Sequence, residues 1–249
     1  MVKIRIIPSL LLKNKRLVKG VNFKNHLDAG DPLKTCVAHQ SQFADEIILI
    51  DLDAYEKNIS PNYNTIKKIA EQCFTPLTVG GNIDSFEKAI KVIRNGADKI
   101  LLNSASEDKD LIKKVSTYLG SQCVVIGIDI INTKNQYFIY RRGHKLEIPA
   151  EDYILKLVDQ DVGEVKITFV NLEGKKRGMD LHFITKISKL INLPTIFEGG
   201  LGSLTHVIEA IQAGANSLAL GSMLVFSDNN IFKIKQEIKN RKFKTRLRD

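Results

Sequence analysis

The sequence lacks long apolar runs, clustered cysteines and paired histidines, and each absence excludes a class of protein. No apolar run approaches the roughly 20 residues that span a bilayer, and the first residues, MVKIRIIPS, follow a strand pattern rather than a signal-peptide layout. We therefore expect a cytoplasmic protein that is not embedded in a membrane. The cysteines are far apart and have no metal-ligand spacing, which favours reduced buried thiols over a disulfide framework or a zinc site: Cys36, Cys73 and Cys123.

The histidines are also scattered along the chain. Two histidines four residues apart on one helix, or a histidine directly beside a cysteine, are typical of a metal site. Neither arrangement occurs among His26, His39, His144, His182 and His206. We expect neither a bound metal nor a cofactor.

Positive charge is in excess, since 37 lysines and arginines outnumber 28 aspartates and glutamates. Much of this excess lies in the C-terminal segment KIKQEIKNRKFKTRLRD, which predicts a helix with a solvated face and then a frayed basic tail, residues 241–249. The segment contains no interleaved aromatic platform and no recognised nucleic-acid motif, so we expect no nucleic-acid partner. An anionic small molecule is compatible with the charge.

Short apolar runs rich in β-branched residues alternate with amphipathic helical segments along the chain. The runs are KIRIIPSL, EIILIDL, PLTVGG, KILLN, CVVIGIDI, VKITFVNL, PTIFEGG and SLALGS. Strands that helices cover on both faces are typically continuous apolar runs of this kind. Eight such units in 249 residues predict a (β/α)8 TIM barrel. The alternating segment NTKNQYFIYRRGHKLEI predicts a β-ribbon inserted after the fifth strand.

The chain repeats itself at an offset of 118 residues. At that offset residues 76–104 fall without gaps on residues 194–222, with nine identities in 29 positions that include turn residues. The same offset places Leu11 on Asp129. We infer one barrel domain, residues 1–249, built from two half-barrels at about 1–118 and 119–240, followed by the basic tail 241–249.

In each half, one strand ends in glycines before a helix, and the next strand ends in a small polar residue before another helix. The segments are VGGNIDS and LLNSASED in the first half, and EGGLGS and ALGSMLV in the second. Glycine lets the backbone approach a ligand closely, and a helix N-terminus carries about half a positive charge, so such loops can hold a phosphate. Two sites on opposite sides of a barrel predict an elongated substrate with a phosphate at each end.

These motifs resemble the cyclase subunit of imidazole glycerol phosphate synthase, the HisF family of histidine biosynthesis. The likeness covers nearly the whole chain: RIIPSLLLKNKRLVKGVNFKNHLDAGDP is similar to the first strand and mobile loop, TVGGNI and RNGADKILLNSA to one phosphate half-site, and FEGGLGS and AGANSLALGSM to the other. The resemblance implies a lyase-type cyclase that pairs with a HisH-like glutaminase subunit. Ammonia from that partner would cross the barrel to a bisphosphorylated aminoimidazole ribulose-type substrate.

The resemblance also implies which residues hold the substrate. The first phosphate would be held by Gly81, Asn82, Asn103 and Ser104, and the second by Glu173, Gly174, Gly200, Gly221 and Ser222. Asn82 stands where the family usually has a third glycine, and Glu173 stands where it usually has aspartate. Lys19 matches the loop lysine that the family closes over substrate, although loop lysines in general are mostly exposed.

Four charged residues near the starts of strands one, two, four and six match the ring that gates the ammonia passage of the family: Arg5, Glu46, Lys99 and Glu164. Two cations and two carboxylates cancel, and neutral pairing makes ionised groups tolerable where they are partly buried. Asp98 matches the surface of the family that faces the glutaminase.

The resemblance fails at the top of the first strand. The family has aspartates at the tops of strands one and five, assigned as general acid and general base, and such a pair divides these roles when its environments separate the two pKa values. Asp129 keeps the strand-five position, but Leu11 occupies the strand-one position. Loss of a general acid or base typically lowers a rate about 10²- to 10⁴-fold. Neither Asp51 nor Asp53 is an evident replacement.

Three interpretations of Leu11 stay open. In the first, the chain is a HisF-type cyclase that keeps Asp129 as its catalytic carboxylate, with Lys19 over the substrate. In the second, it is a HisF-like paralogue of surface-polysaccharide biosynthesis, an ammonia conduit or scaffold for a sugar amidotransferase. The third, a sugar-phosphate isomerase of the related two-phosphate barrel family, would also need a strand-one carboxylate, and the four gate residues argue against it.

Overall fold

The structure is a computed structural model that describes residues 3–247. In that range the strands are β1 (Arg5–Lys13), β2 (Arg16–Val21), β3 (Lys24–Gly30), β4 (Ile47–Asp51), β5 (Leu77–Gly80), β6 (Lys99–Leu102), β7 (Val124–Thr133), β8 (Gln136–Arg141), β9 (His144–Pro149), β10 (Glu164–Phe169), β11 (Thr195–Glu198) and β12 (Ser217–Leu220). The helices are α1 (Pro32–Ser41), α2 (Leu52–Glu56), α3 (Tyr63–Ala70), α4 (Phe86–Arg94), α5 (Lys109–Leu119), α6 (Ala150–Val158), α7 (Leu181–Leu190), α8 (Leu204–Gln212), α9 (Ser222–Val225) and α10 (Ile231–Asn240).

Eight parallel strands close into the predicted barrel. They pair in the order β1, β4, β5, β6, β7, β10, β11 and β12, and β12 pairs back to β1. Polar side chains begin the helices between them: Ser85 accepts the amide of Lys88 at the start of α4, and Ser203 accepts that of His206 at the start of α8. The prediction of a (β/α)8 barrel is confirmed.

The internal repeat is visible in the element bounds. Strands β5 and β6 and helix α4 recur 118 residues later, with unchanged lengths, as β11, β12 and α8. The hairpin β8–β9 after β7 is the predicted ribbon, and the hairpin β2–β3 occupies the matching place after β1. The segment that resembles a mobile loop is therefore paired as a hairpin onto β1.

Side chains fill the barrel lumen in layers, as is usual for this fold. The charged residues at the strand starts form the bottom layer. Above them lies an apolar layer, made of Ile7, Ile48, Leu101, Val125, Ile196 and Ala219. Polar and charged side chains return above that layer, at the carboxyl ends of the strands.

The basic tail does not fray where the structure describes it. Ile4 pairs in parallel with Thr245, and its amide donates to the carbonyl of Lys244 at 2.7 Å. The ammonium of Lys235, fully buried on α10, lies 2.7 Å from Asp45 and donates to the carbonyl of Arg246 at 3.1 Å. These bonds dock the tail beside β1, so the expected fraying is wrong up to this point, and residues 248–249 lie outside the described residues.

Among residues 3–247, no helix has the length and apolar character that crossing a membrane requires.

Candidate active site

The carboxyl ends of the barrel strands surround a cavity of about 380 Å³. Asp129 from β7, Lys19 from β2 and Leu11 from β1 all line it, together with residues of both hairpins. Barrel enzymes place their active sites at this face. The structure thus brings the candidate catalytic residues together at one cavity.

Asp129 is held in a setting that favours its protonated form. Burial raises the pKa of its carboxyl group, and the nearby charge of Lys166 offsets only part of that rise. The side-chain amide of Asn103 donates to Oδ2 of Asp129 at 3.0 Å. Asn103, which the resemblance assigns to phosphate, therefore contacts the candidate catalytic carboxylate.

Lys19 is only 2% exposed and lies on a strand rather than in an open loop. Its ammonium forms an ion pair with Glu173. Burial opposes the charge of Lys19, but the charges of Glu173 and Glu198 outweigh burial and raise its pKa. The amide of Asn22 also donates to the carbonyl of Glu173 at 3.0 Å, which fixes the hairpin β2–β3 over the site.

The four residues of the first candidate phosphate site face the cavity: Gly81, Asn82, Asn103 and Ser104. Gly81 has a φ of +122° and packs on the backbone of Asp51, where a Cβ would not fit. The side chain of Asn82 turns away and donates to the carbonyl of Ile59 at 2.9 Å. The Asn82 amide is therefore engaged by the segment before α3.

The second candidate phosphate site is covered. Glu173 lines the cavity, but Gly174 packs against Gly20 of the hairpin, and Gly221 packs against the Lys19 side chain. Gly200 packs against the carbonyl of Gly178, and the hydroxyl of Ser222 is buried without a hydrogen-bond partner. The hairpin and its ion pair occupy the space above this half-site.

The four charged residues at the strand starts form a closed ring of ion pairs, which we call the base ring: Arg5, Glu46, Lys99 and Glu164. Lys99 Nζ lies 2.8 Å from Glu46 and 2.9 Å from Glu164, and Arg5 contacts both carboxylates. Burial opposes the charge of Lys99, but the two glutamates raise its pKa. Exposed Asp98 lies next to the ring and accepts the amide of Leu77 at 2.8 Å.

Sequence reasoning missed a second buried ion pair, between Lys166 on β10 and Glu198 at the end of β11. Lys166 Nζ also donates to Oγ1 of Thr168 at 2.7 Å. The sequence feature that could have revealed this pair is a single charged residue within each of two otherwise apolar runs, VKITFV and PTIFE. At the offset of 118 residues, the first half has Ile48 and Gly80 at these positions, so the pair interrupts the repeat.

Neither carboxylate of α2 and its N-cap replaces the one missing at Leu11. Asp51 accepts the amides of Ala54 at 3.1 Å and Asn62 at 2.8 Å, so both of its oxygens are engaged by the backbone. Asp53 forms an ion pair with Lys57 at 2.7 Å and does not line the cavity. In the described range, no three His, Cys, Asp or Glu residues are grouped so that they could hold a metal.

The closed barrel, with a cavity at the carboxyl ends of its strands, defines a (β/α)8 barrel protein whose candidate site lies at that face. The sequence profile of the family described as "Histidine biosynthesis protein" matches residues 5–230. The chain is 37% identical, over 99% of its length and all of the relative, to the protein described as imidazole glycerol phosphate synthase subunit hisF2 of Campylobacter jejuni.

Two further relatives carry the name imidazole glycerol phosphate synthase subunit HisF. The protein of Clostridium botulinum strain Kyoto is 36% identical over 99% of this chain and all of the relative. The protein of Flavobacterium johnsoniae is 34% identical over 98% of each chain. The chain belongs to the HisF family, the cyclase-subunit type of imidazole glycerol phosphate synthase.

Proposed function

We propose that this chain is the synthase subunit of a glutamine amidotransferase. It takes ammonia from a HisH-like glutaminase at the base ring and uses it in the cavity on a bisphosphorylated aminoimidazole ribulose-type substrate. The relatives are named as subunits of imidazole glycerol phosphate synthase, which supports this assignment. The observation that carries it is the base ring itself, a closed set of charges at the opposite end of the lumen from the cavity.

The base ring has the properties of a gate for a neutral molecule. Its carboxylates are nearly buried, whereas the side chains of Arg5 and Lys99 are 20% and 22% exposed and reach the surface of the barrel base. Each carboxylate contacts both cations, so the ring carries no net charge and attracts neither anions nor cations strongly. A partner docked here would cover these cations together with Asp98.

Both phosphate sites enter the proposal, with different requirements. The first is open to the cavity in the structure as described. The second receives its phosphate when the hairpin β2–β3 lifts and Lys19 leaves Glu173, which frees a lysine to contact the anion. Excess positive charge on the chain favours such an anionic substrate.

Turnover of the aminoimidazole bisphosphate precursor with excess ammonium tests the chemistry. We expect turnover by the wild-type protein, without a partner and without a metal. Absence of turnover would contradict the cyclase assignment.

Stimulated glutamine hydrolysis by a HisH-type glutaminase tests the partner. Asp98→Asn should weaken the complex, while Asp110→Asn, an exposed carboxylate in the first turn of α5 at the opposite face, is the matched control. No complex at micromolar protein would count against the docking surface.

One observation favours a second candidate function, a conduit or scaffold that passes ammonia to an enzyme amidating a surface-polysaccharide sugar. Leu11 removes a carboxylate from the cavity, while the base ring remains complete. An inactive wild-type protein and an active Leu11→Asp variant, assayed with the same precursor and ammonium, would support the conduit. Ordinary wild-type turnover would exclude it.

A further inference from the structure

The cavity contains carboxylates other than Asp129, although Leu11 leaves the first strand without one. In the described residues the carboxylates lining it are Asp51, Glu56, Asp129, Glu173 and Glu198. Backbone amides occupy both oxygens of Asp51, Glu56 pairs with Lys13 near solvent, and Glu173 pairs with Lys19 under the hairpin. Glu198 is also paired, with Lys166, but of these four it is the one that lies inward on a barrel strand at the level of Asp129.

Glu198 lies at the same level of the barrel as Asp129. Thr168 on β10 is paired with Asp129 on one side and with Glu198 on the other. Neighbouring strands are about 4.8 Å apart and paired residues point to the same face, so the two carboxylates rise from backbones roughly 10 Å apart. Both side chains line one cavity, which leaves room for a substrate between them.

The charges around the two carboxylates are unequal. We call the five charged residues at this end of the lumen the upper charged set: Lys19, Asp129, Lys166, Glu173 and Glu198. Each lysine contacts one glutamate, whereas Asp129 is bonded to the neutral amide of Asn103. Two cations balance two carboxylates, so the set is neutral when Asp129 holds a proton.

The pKa values of the two groups move in opposite directions. Burial raises the pKa of Asp129. Burial would also raise that of Glu198, but the charges of Lys166 and Lys19 outweigh it and lower the pKa. Two carboxylates with separated pKa values are the arrangement that general acid and base catalysis requires.

We infer that Glu198 is the second catalytic carboxylate of this site and acts as the general base opposite Asp129, in place of the carboxylate absent at Leu11. This assignment rests on the proposed function. Ammonia forms a C–N bond to the substrate and gives one N–H proton to Glu198. When the C–N bond to the departing amine breaks, its electron pair leaves with that nitrogen, which takes the proton of Asp129. Condensation of the ammonia nitrogen with the ribulose-type carbonyl closes the ring and releases the carbonyl oxygen as water. The proton on Glu198 returns to Asp129 through solvent, so both carboxyl groups regain their starting states. Nothing is oxidised or reduced, and Lys166 acts as a positioning residue.

Glu198→Gln tests this role by removing the base while keeping the shape of the side chain. We expect kcat with ammonium to fall about 10²- to 10⁴-fold with little change in KM. The acid limb of the pH profile, where wild-type Glu198 becomes protonated, should disappear. Asp53→Asn is the matched carboxyl-to-amide control outside the cavity and should keep the wild-type rate.

Moving the carboxylate back to the first strand provides a rescue. The double variant Leu11→Asp/Glu198→Gln should turn over at least about tenfold faster than Glu198→Gln alone, because one general base typically contributes more than that. If Glu198→Gln does not fold, Lys166→Met/Glu198→Gln removes both buried charges, and we expect the same rate loss in that folded variant.

The outcomes separate the two proposals. An active wild-type protein with an equally active Glu198→Gln variant and an unchanged acid limb overturns the role of Glu198 and leaves the proposed function intact. A wild-type protein without turnover overturns the proposed function, and the role of Glu198 with it. Rate loss together with rescue by Leu11→Asp supports both.

Discussion

The two charged layers of the barrel lumen differ in how their charges balance. In the base ring, two cations meet two carboxylates, and each carboxylate contacts both cations. In the upper charged set, two lysines meet three carboxylates, and each lysine contacts a single glutamate. The apolar layer separates the two sets.

The difference shows where a proton can be stored. The base ring is neutral with all four groups ionised, so protonation of any carboxylate would leave it with a net charge. The upper charged set is neutral when one carboxylate is protonated, and Asp129 is the one without a cation in contact. A balanced ring suits a static gate, whereas a set with one surplus carboxylate suits acid and base chemistry.

The largest effect on stability is expected for Lys166→Met. Removing one partner of a buried ion pair leaves an uncompensated charge. The unpaired Glu198 should lower the free energy of unfolding by about 3 to 5 kcal/mol. Lys166→Met/Glu198→Met removes both charges and should lose less stability than the single variant. Urea unfolding measures both, and equal losses would show that the pair is not buried as described.

Lys19→Met should have a smaller effect, about 1 to 3 kcal/mol, because the hairpin can lift and let water reach Glu173. Hydrogen exchange at the amide of Asn22, which donates to the carbonyl of Glu173, should accelerate. Lys24→Met on the same hairpin, whose lysine is exposed, is the matched control. Unchanged protection of the Asn22 amide would show that the ion pair does not hold the hairpin closed.

The two carboxylates should respond to pH with opposite signs. The folded-state pKa of Asp129 is raised, so ionisation of this buried carboxyl group lowers the free energy of unfolding of the wild type as pH rises above about 4. The stability of Asp129→Asn relative to wild type should therefore increase towards neutral pH. The pKa of Glu198 is lowered, so the cost of Glu198→Gln should be full at neutral pH and shrink as pH falls below about 4.

Each unit of pKa shift corresponds to about 1.4 kcal/mol in these experiments. Unfolding free energies measured between about pH 3 and pH 7 give both slopes. Parallel slopes for the two variants would remove the distinction between the acid and the base.

The smallest effect is expected for Lys99→Met in the base ring, about 1 kcal/mol, because Arg5 still contacts both glutamates when the ammonium is removed. The raised pKa of Lys99 means that its contribution is complete below about pH 10.4 and is lost as pH rises through the folded-state value. Thermal unfolding of wild type and variant should therefore converge only in strong alkali. Convergence near neutral pH would contradict the ion pairing.

The barrel and its repeat could be predicted because both are periodic features of the sequence. Apolar runs identify strands locally, and the offset of 118 residues reports two equivalent halves without any contact information. The positions of Arg5 and Glu164 near strand starts also follow from the pattern, because parallel strands in a barrel begin at one end.

The pairing inside the lumen could not be predicted from the same pattern. Lys166 and Glu198 are 32 residues apart on neighbouring strands, and their contact depends on register and on which face each residue presents. Lys19 lies in a segment that the sequence predicts as a loop, and it is buried by tertiary contacts of its side chain with Glu173 and Gly221. The docked tail depends likewise on tertiary contacts of Lys235, which local composition does not reveal.

The apolar layer has an electrical consequence for the molecule. An ion entering six hydrocarbon side chains would lose its hydration at a cost of several kcal/mol, so the layer is an insulator between the two faces of the barrel. Along β10, Glu164 of the base ring and Lys166 of the upper charged set are two positions apart, roughly 7 Å along the strand, and both are buried where salt screens little. The layer therefore blocks ions between the two ends without screening their fields, so a partner that changes the charge at the base also shifts the proton affinity at the cavity.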